Sequence, residues 1–216
     1  NNEVEDMYYY GLYARNQIRM EVYDNYFESS YQFGSVFYAY YNRNSRVERN
    51  IMENGRWVYF RYENAQGFNS PISGDTSTFI NNIVNIDNQY GYGIYGYNMY
   101  NAMIYHNTIA CENGYYGSFF GYSSAEIYNN IFYGDNLRNY FIYWYRSTLS
   151  HDWNQFDNPS NEVYYYDFTQ YADLNAWNAA VTPNEDNSVE QAADFVSATD
   201  LHLSASGTPF IGTDVG

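Results

Sequence analysis

Apolar residues recur along this chain in a six-residue frame: apolar, any, any, Asn, any, apolar. The frame occupies residues 22–27 around Asn25, 47–52 around Asn50, 79–84 around Asn82, 104–109 around Asn107 and 127–132 around Asn130. Successive asparagines lie 25, 32, 25 and 23 residues apart. A degraded copy follows at Asn154 and Phe156, where His151 replaces the apolar opener. Ahead of most frames comes a second strand-like run, at 36–40, 57–62, 93–97, 118–122 and 140–145. Gly, Asn and Ser separate the runs and turn the chain, since Gly tolerates positive φ and Asn bonds its own backbone. None of the runs keeps a 3.6-residue period up to about Gln155, so strands are predicted there and helices are not.

A repeat of this length fits one turn of a three-sided solenoid, each turn built from short strands. The predicted fold is therefore all-β, a right-handed parallel β-helix of about six to eight coils. Coils are expected over residues 1–156. Residues 157–216 supply a short helix near 174–180 and a closing coil within the same domain. The asparagines have a physical task in such a fold. A coil turning a corner leaves N–H and C=O groups without ladder partners, and an amide offers both a donor and an acceptor. Stacked at one corner, Asn25, Asn50, Asn82, Asn107 and Asn130 are expected to form a structural ladder rather than a chemical site. The long interval between Asn50 and Asn82 predicts a loop roughly seven residues longer than its neighbours, and added loops are where function often resides.

Composition changes the picture in one respect. Tyr contributes 30 residues and Phe 14, so aromatics reach 22% and strengthen the strand assignment. In the runs 57–62 and 141–145 both alternating faces carry apolar or aromatic residues, whereas a strand with one wet face should alternate with polar residues. An exposed aromatic ladder follows, with Trp57, Tyr59, Tyr95, Tyr97, Tyr143 and Tyr145 as candidate glycan- or self-contacting residues. Which Tyr face points outward is not decided by the pattern.

Charge and cysteine usage bound the function classes. The net charge is −16, and all nine basic residues are Arg. An acidic chain repels phosphate, so nucleic acid and anionic membrane surfaces are poor partners. No apolar run is long enough for a transmembrane helix. The lone cysteine, Cys111, follows an apolar run and reads as a buried small hydrophobe. No Asn-x-Ser/Thr acceptor with a permitted middle residue occurs. The chain opens Asn1-Asn2-Glu3, which reads as a processed or partial sequence. Strand-like sequence begins at once in residues 7–10, without a capping helix, and predicts end-to-end or lateral assembly.

The frames at 79–84 and 127–132 resemble the parallel β-helix repeats of pectate-lyase-like proteins. The C-terminal stretches 172–180, 185–188 and 195–203 are similar to the ending of large secreted surface proteins of the Bacteroidetes type. In that pattern a short helix with a central Trp leads to a final coil carrying Asp-x-His-Leu, here Asp200 to Leu203. This chain departs from it at Ala192-Ala193, where Asp-Pro is usual, and in its close at residues 207–212. The resemblance implies an extracellular or cell-surface location and no assigned reaction.

The same residues bear on enzymatic alternatives. A lyase needs a base to remove the proton α to a uronate carboxylate, and Lys is absent. Arg43, Arg46, Arg49, Arg56 and Arg61 cluster on two successive coils, but pairing with Glu48, Glu53 and Glu63 is the simpler expectation. A glycosidase needs carboxylates on adjacent coils. The position before each repeat Asn reads Asp24, Arg49, Asn81, His106 and Asn129, with no adjacent pair. His106, His151 and His202 show no metal-binding spacing. The expectation is a non-catalytic structural or adhesive extracellular protein, without cofactor or metal, that associates with itself or with glycans. A polysaccharide lyase or glycoside hydrolase is the alternative.

Overall fold

The computed structural model describes residues 2–160, 163–181, 187–197 and 200–203. The chain winds into a parallel β-solenoid of about 7 turns, and each turn contributes strands to three sheets. An eight-stranded sheet runs from Glu3–Val4 through Tyr26–Glu28, Ile51–Glu53, Ile83–Asp87, Thr108–Glu112, Ile131–Asp135 and Gln155–Asp157 to Val189–Glu190. A six-stranded sheet runs from Glu21–Tyr23 to Thr148–Asp152. The third sheet stacks Tyr10–Arg15, Ser35–Tyr40, Trp57–Arg61, Tyr92–Tyr97, Tyr116–Gly121, Tyr140–Tyr145 and Tyr164–Tyr166 in parallel. It ends on an antiparallel strand, Thr169–Tyr171.

The six-residue frame maps onto one corner of this coil. Its openers Val22, Val47, Phe79, Ile104, Ile127 and His151 stack in register inside the six-stranded sheet. Its closers Phe27, Met52, Val84, Ile109, Phe132 and Phe156 stack inside the eight-stranded sheet. Asparagine sits between them, where the chain changes direction. The residue before it adopts the left-handed conformation in every coil: Asp24, Arg49, Asn81, His106, Asn129 and Trp153 have φ between 55° and 59°. A second corner, after the third sheet, uses the same device at Asn16, Tyr41, Tyr62, Asn98, Tyr122, Arg146 and Asp167. Asn bears this conformation most cheaply, and the bulkier residues are held in it by the coils on either side.

The corner asparagines form one continuous ladder. The backbone N–H of Asn107 donates to Oδ1 of Asn130 at 3.0 Å, and its Nδ2 donates to the same oxygen at 3.0 Å. That Nδ2 also reaches the carbonyl of Phe79 at 2.8 Å and of Tyr105 at 3.0 Å. The pattern repeats at Asn50, Asn82 and Asn130. Asn25 joins through its N–H and Nδ2 to Asn50, and Asn2 through the same two groups to Asn25. Asn154 accepts from Asn130 and donates its N–H to Ser188 Oγ at 2.8 Å.

The interval between Asn50 and Asn82 holds a small antiparallel hairpin, Ala65–Gly67 with Ser70–Pro71. Its base is clasped by Glu63, which is fully buried and accepts from Ser45 Oγ at 2.5 Å and Ser77 Oγ at 2.8 Å. Burial raises the Glu63 carboxyl above the ordinary range, against those two hydrogen bonds. Its second oxygen is buried without a hydrogen-bond partner among the described residues. Arg43 and Asn44 hold the far side through Asp75, at 2.5 and 2.7 Å.

The helix Leu174–Asn178 closes the far end of the core. Asp173 caps it by accepting from the N–H of Ala176 at 2.7 Å. Its fully buried Trp177 packs on Trp144 and Tyr164, with ring centroids 5.1 and 5.4 Å away. Trp144 in turn donates its indole N–H to Ser118 at 3.0 Å, which explains a serine in the core column. Val189–Glu190 adds the last parallel rung, and Phe195–Ser197 pairs antiparallel with Asp200–Leu203. The segment expected as a final coil is thus, where described, an antiparallel ribbon. The chain close at 207–212, residues 185–186 and the His202 side chain lie outside the described residues. Cys111 is fully buried, and burial pushes its thiol up to about 12. Among the described residues no helix is long and apolar enough to cross a membrane.

Replacing Asn107 by Ala strips partners from the Asn82 amides and from the carbonyl of Phe79, each left buried at about 1–3 kcal/mol. A loss of about 3 kcal/mol or more in urea-midpoint stability is expected, well above that of an exposed substitution such as Gln66→Ala. Glu63→Gln tests the buried acid. Because its folded pKa is raised, its contribution is present below the unfolded carboxyl pKa and is lost as pH rises through the folded value. Glu63→Gln should match the wild type in acid and exceed it in thermal midpoint at neutral and alkaline pH. Parallel curves across the range would refute the assignment.

Candidate functional site

The third sheet carries the feature that sets this chain apart. Side chains alternate across a strand, so inward positions such as Phe37, Val58, Ile94, Phe120 and Trp144 fill the core. The outward positions are aromatic as well. Register places Tyr13, Tyr38, Tyr59, Tyr95, Phe119, Tyr143 and Tyr165 opposite one another, one ring per coil. Neighbouring rings are stacked, with centroids 5.4, 4.5, 4.7, 4.4, 5.2 and 4.5 Å apart and planes within 16°. Rings lying flat on the sheet could not approach so closely. Their π faces therefore meet each other, and their edges and hydroxyls face outward.

A second column lies beside the first, with Trp57, Tyr92, Tyr116 and Tyr140 in register. A third alternates guanidinium and phenol: Arg15 lies 5.4 Å from the Tyr40 ring, and Arg61 lies 5.7 Å from Tyr40 and 5.6 Å from Tyr97. The third column continues through Gly121 to Tyr145. At Gly121 a Cβ would come within 3.1 Å of the Phe119 and Tyr97 rings, so glycine leaves room for them. The sheet brings Trp57, Tyr59, Tyr95, Tyr97, Tyr143 and Tyr145 together on one outward face. Tyr59 is only 6% exposed, because its neighbours above and below cover it. Burial raises the phenols of Tyr38, Tyr59 and Tyr95 and pushes Tyr143 up to about 12, so these phenols stay protonated at ordinary pH.

The electrostatic setting is as telling as the rings. None of the seven parallel strands of this sheet contains Asp or Glu, although the chain carries 25 of them. The arginines expected to cluster are dispersed. Arg46 pairs with Glu48 at 3.1 Å and Arg49 with Asp24 at 2.7 Å, both beside the six-stranded sheet. Arg43 is committed to Asp75, and Arg56 lies 4.0 Å over the Trp57 ring. Of the three expected acidic partners only Glu48 serves. Glu63 holds serines, and Glu53 accepts from Tyr26 Oη at 2.9 Å.

Acidic residues gather elsewhere. Asp87, Glu112 and Asp135 stand opposite one another on three successive coils of the eight-stranded sheet. Alignment on the position before each Asn missed this row. The signal lay at the fifth position after Asn82, Asn107 and Asn130. Burial, followed by the charges of Asp87 and Asp135, raises the Glu112 carboxyl. Asp87 accepts from Asn113 at 2.9 Å and Asp135 from Asn136 at 3.1 Å. The neighbouring groove of about 450 Å³ is lined by Glu28 and Asp87 and does not reach Glu112 or Asp135. A larger groove of about 610 Å³ crosses the six-stranded sheet beneath residues 74–76, over Met103, Glu126 and Ser150. Among the described residues no group of three His, Cys, Asp or Glu is placed to hold a metal ion.

No protein-family model, curated protein or solved structure matches this chain. The stacked coils agree with the parallel β-helix resemblance read from the repeats.

The column also bears load. Replacing Tyr59 by Leu removes two stacked pairs and should cost about 1–3 kcal/mol. Tyr13→Leu, at the exposed end with one stacked neighbour in the column, should cost about 1 kcal/mol or less. Urea midpoints of the two variants measure the difference, and equal losses would show that the stack adds nothing.

Proposed function

We propose that the chain is a non-catalytic extracellular structural and adhesive protein of the bacterial surface, a rod whose tyrosine sheet contacts neutral glycans and neighbouring copies. The single observation that carries this reading is the carboxylate-free aromatic face on a chain of net charge −16. Acidic bodies repel one another, with a screening length of about 8 Å in physiological salt. Approach through this face keeps their carboxylates apart. Its ring edges and phenol hydroxyls suit a surface of hydroxyl groups, and a rigid sheet costs little ordering entropy on contact. Since the π faces of the main column are spent on one another, edge contact and hydrogen bonding replace flat sugar stacking as its mode of contact. A surface or matrix location of the Bacteroidetes type agrees with the repeats and the C-terminal pattern, and belongs to this proposal.

A second reading, glycoside hydrolysis, rests on the row Asp87, Glu112 and Asp135. Coils rise by about 4.8 Å, near the roughly 5–5.5 Å separation of a retaining carboxylate pair. A raised Glu112 would be the proton donor there. The groove beside the row is lined by Asp87 but by neither Glu112 nor Asp135, which weighs against it.

Sedimentation with insoluble cellulose and chitin, electron microscopy of concentrated protein and assay of released sugar, with and without calcium, separate the readings. The first expects pelleting or ordered assemblies that are lost in Tyr13→Glu/Tyr143→Glu, without sugar release. Sugar release abolished by Glu112→Gln would establish the second. Neither binding, assembly nor release would overturn both.

A further inference from the structure

The covalent chemistry available to a structural protein of this composition is narrow. Lysine is absent, which removes amide cross-links and aldehyde condensations at a lysine amine. The single cysteine is fully buried with its thiol pushed up to about 12, which removes disulfide exchange between copies. What remains in quantity is phenol.

The structure divides the tyrosines into two groups. Those inside the main column are stacked face to face and covered on both sides, as Tyr59 and Tyr95 are by rings at 4.4–4.7 Å. Two phenols join through ring carbons beside the hydroxyl, edge to edge and in a twisted product. Parallel stacked rings locked in a sheet cannot reach that arrangement. The second group is open. Tyr8, Tyr9, Tyr10 and Tyr13 are 45–61% exposed and form a patch at one end of the sheet. Tyr23, on the outer face of the six-stranded sheet, is 44% exposed, and Tyr115, at a turn several coils along, is 39% exposed. Residues 8–13 and Tyr23 lie on two different faces of the first coil and Tyr115 lies several coils along, so coupling through them extends in more than one direction and builds a network rather than closed pairs.

We propose that this chain is a substrate for oxidative tyrosine cross-linking between copies, through the open rings at residues 8–10, 13, 23 and 115, with hydrogen peroxide and a haem peroxidase as oxidant. This rests on the structural role proposed above. Each of two tyrosines gives up one electron and one proton, and the two phenoxyl radicals form a carbon–carbon bond. The ring hydrogens at the new bond shift to the oxygens and restore both phenols. The peroxide takes up the two electrons and two protons and leaves as two waters. The stacked columns keep the scaffold rigid while the open rings react.

The test treats the purified chain with a haem peroxidase and limiting hydrogen peroxide, read by dityrosine fluorescence, denaturing gels and peptide mapping. Covalent dimers and larger species are expected, with bridges mapping to the open rings. A variant with Phe at positions 8, 9, 10, 13, 23 and 115 should lose at least about ten-fold of the covalent oligomer, a drop of one decade in yield. Tyr164→Phe, whose ring is fully buried in the core and outside the contact face, should leave the yield unchanged, and circular dichroism verifies that both variants fold. Monomer alone, intrachain bridges alone, or equal yield from the six-Phe variant would overturn the proposal. If glycan pelleting or assembly persists without covalent bridges, only the cross-linking fails. If both vanish, the structural role fails with it.

Discussion

A chain that turns a sharp corner every eight residues or so must satisfy the backbone it exposes there, and this solenoid does so with one amide per coil. Each repeat Asn gives its carboxamide oxygen to the N–H and Nδ2 of the coil before it and its own Nδ2 to a buried carbonyl. Alanine offers neither group, and aspartate has no donor. The rest of the molecule hangs on that register. Once asparagines stack, openers stack on openers, closers on closers and tyrosines on tyrosines. A slip by one residue would turn every core side chain outward.

The tyrosine column is a consequence of this register. Strand spacing of about 4.8 Å is close to the separation at which aromatic rings stack, so one outward aromatic per coil produces a continuous pile. Face-to-face stacking stabilises the rod and fixes what the surface offers a partner, namely edges and hydroxyls. Evicting Asp and Glu from these strands concentrates negative charge on the other sheets and corners. Asp87, Glu112 and Asp135 then share a row in which burial, and after it mutual repulsion, raises the central carboxyl.

Local departures from the repeat are each matched by a compensating contact. His151 takes the place of an apolar opener and packs 5.0 Å from Trp144. Glu63 stands at the second corner, where Asn42, Ser123 and Ser147 accept from the preceding coil at 2.8–3.2 Å. It works by clasping the serines that flank the hairpin. Arg15, Arg56, Arg61, Arg138 and Arg146 lie over rings, and Arg61 sits between Tyr40, Tyr62 and Tyr97.

By itself the sequence determined the coil. The spacing of Asn25, Asn50, Asn82, Asn107 and Asn130 and the apolar positions around them are local patterns with a fixed physical meaning, and so is the break that became the hairpin at 65–71. Only the tertiary structure decided which aromatic face is outward, because both alternating sets are apolar and periodicity alone cannot orient them. It decided that Tyr62 and Tyr122 are left-handed corner residues rather than strand ends. It also decided the carboxylate row, which arises from register between coils, and the antiparallel ribbon where a last coil was expected. Contacts between residues some two dozen positions apart fix these features, and no window along the chain contains them.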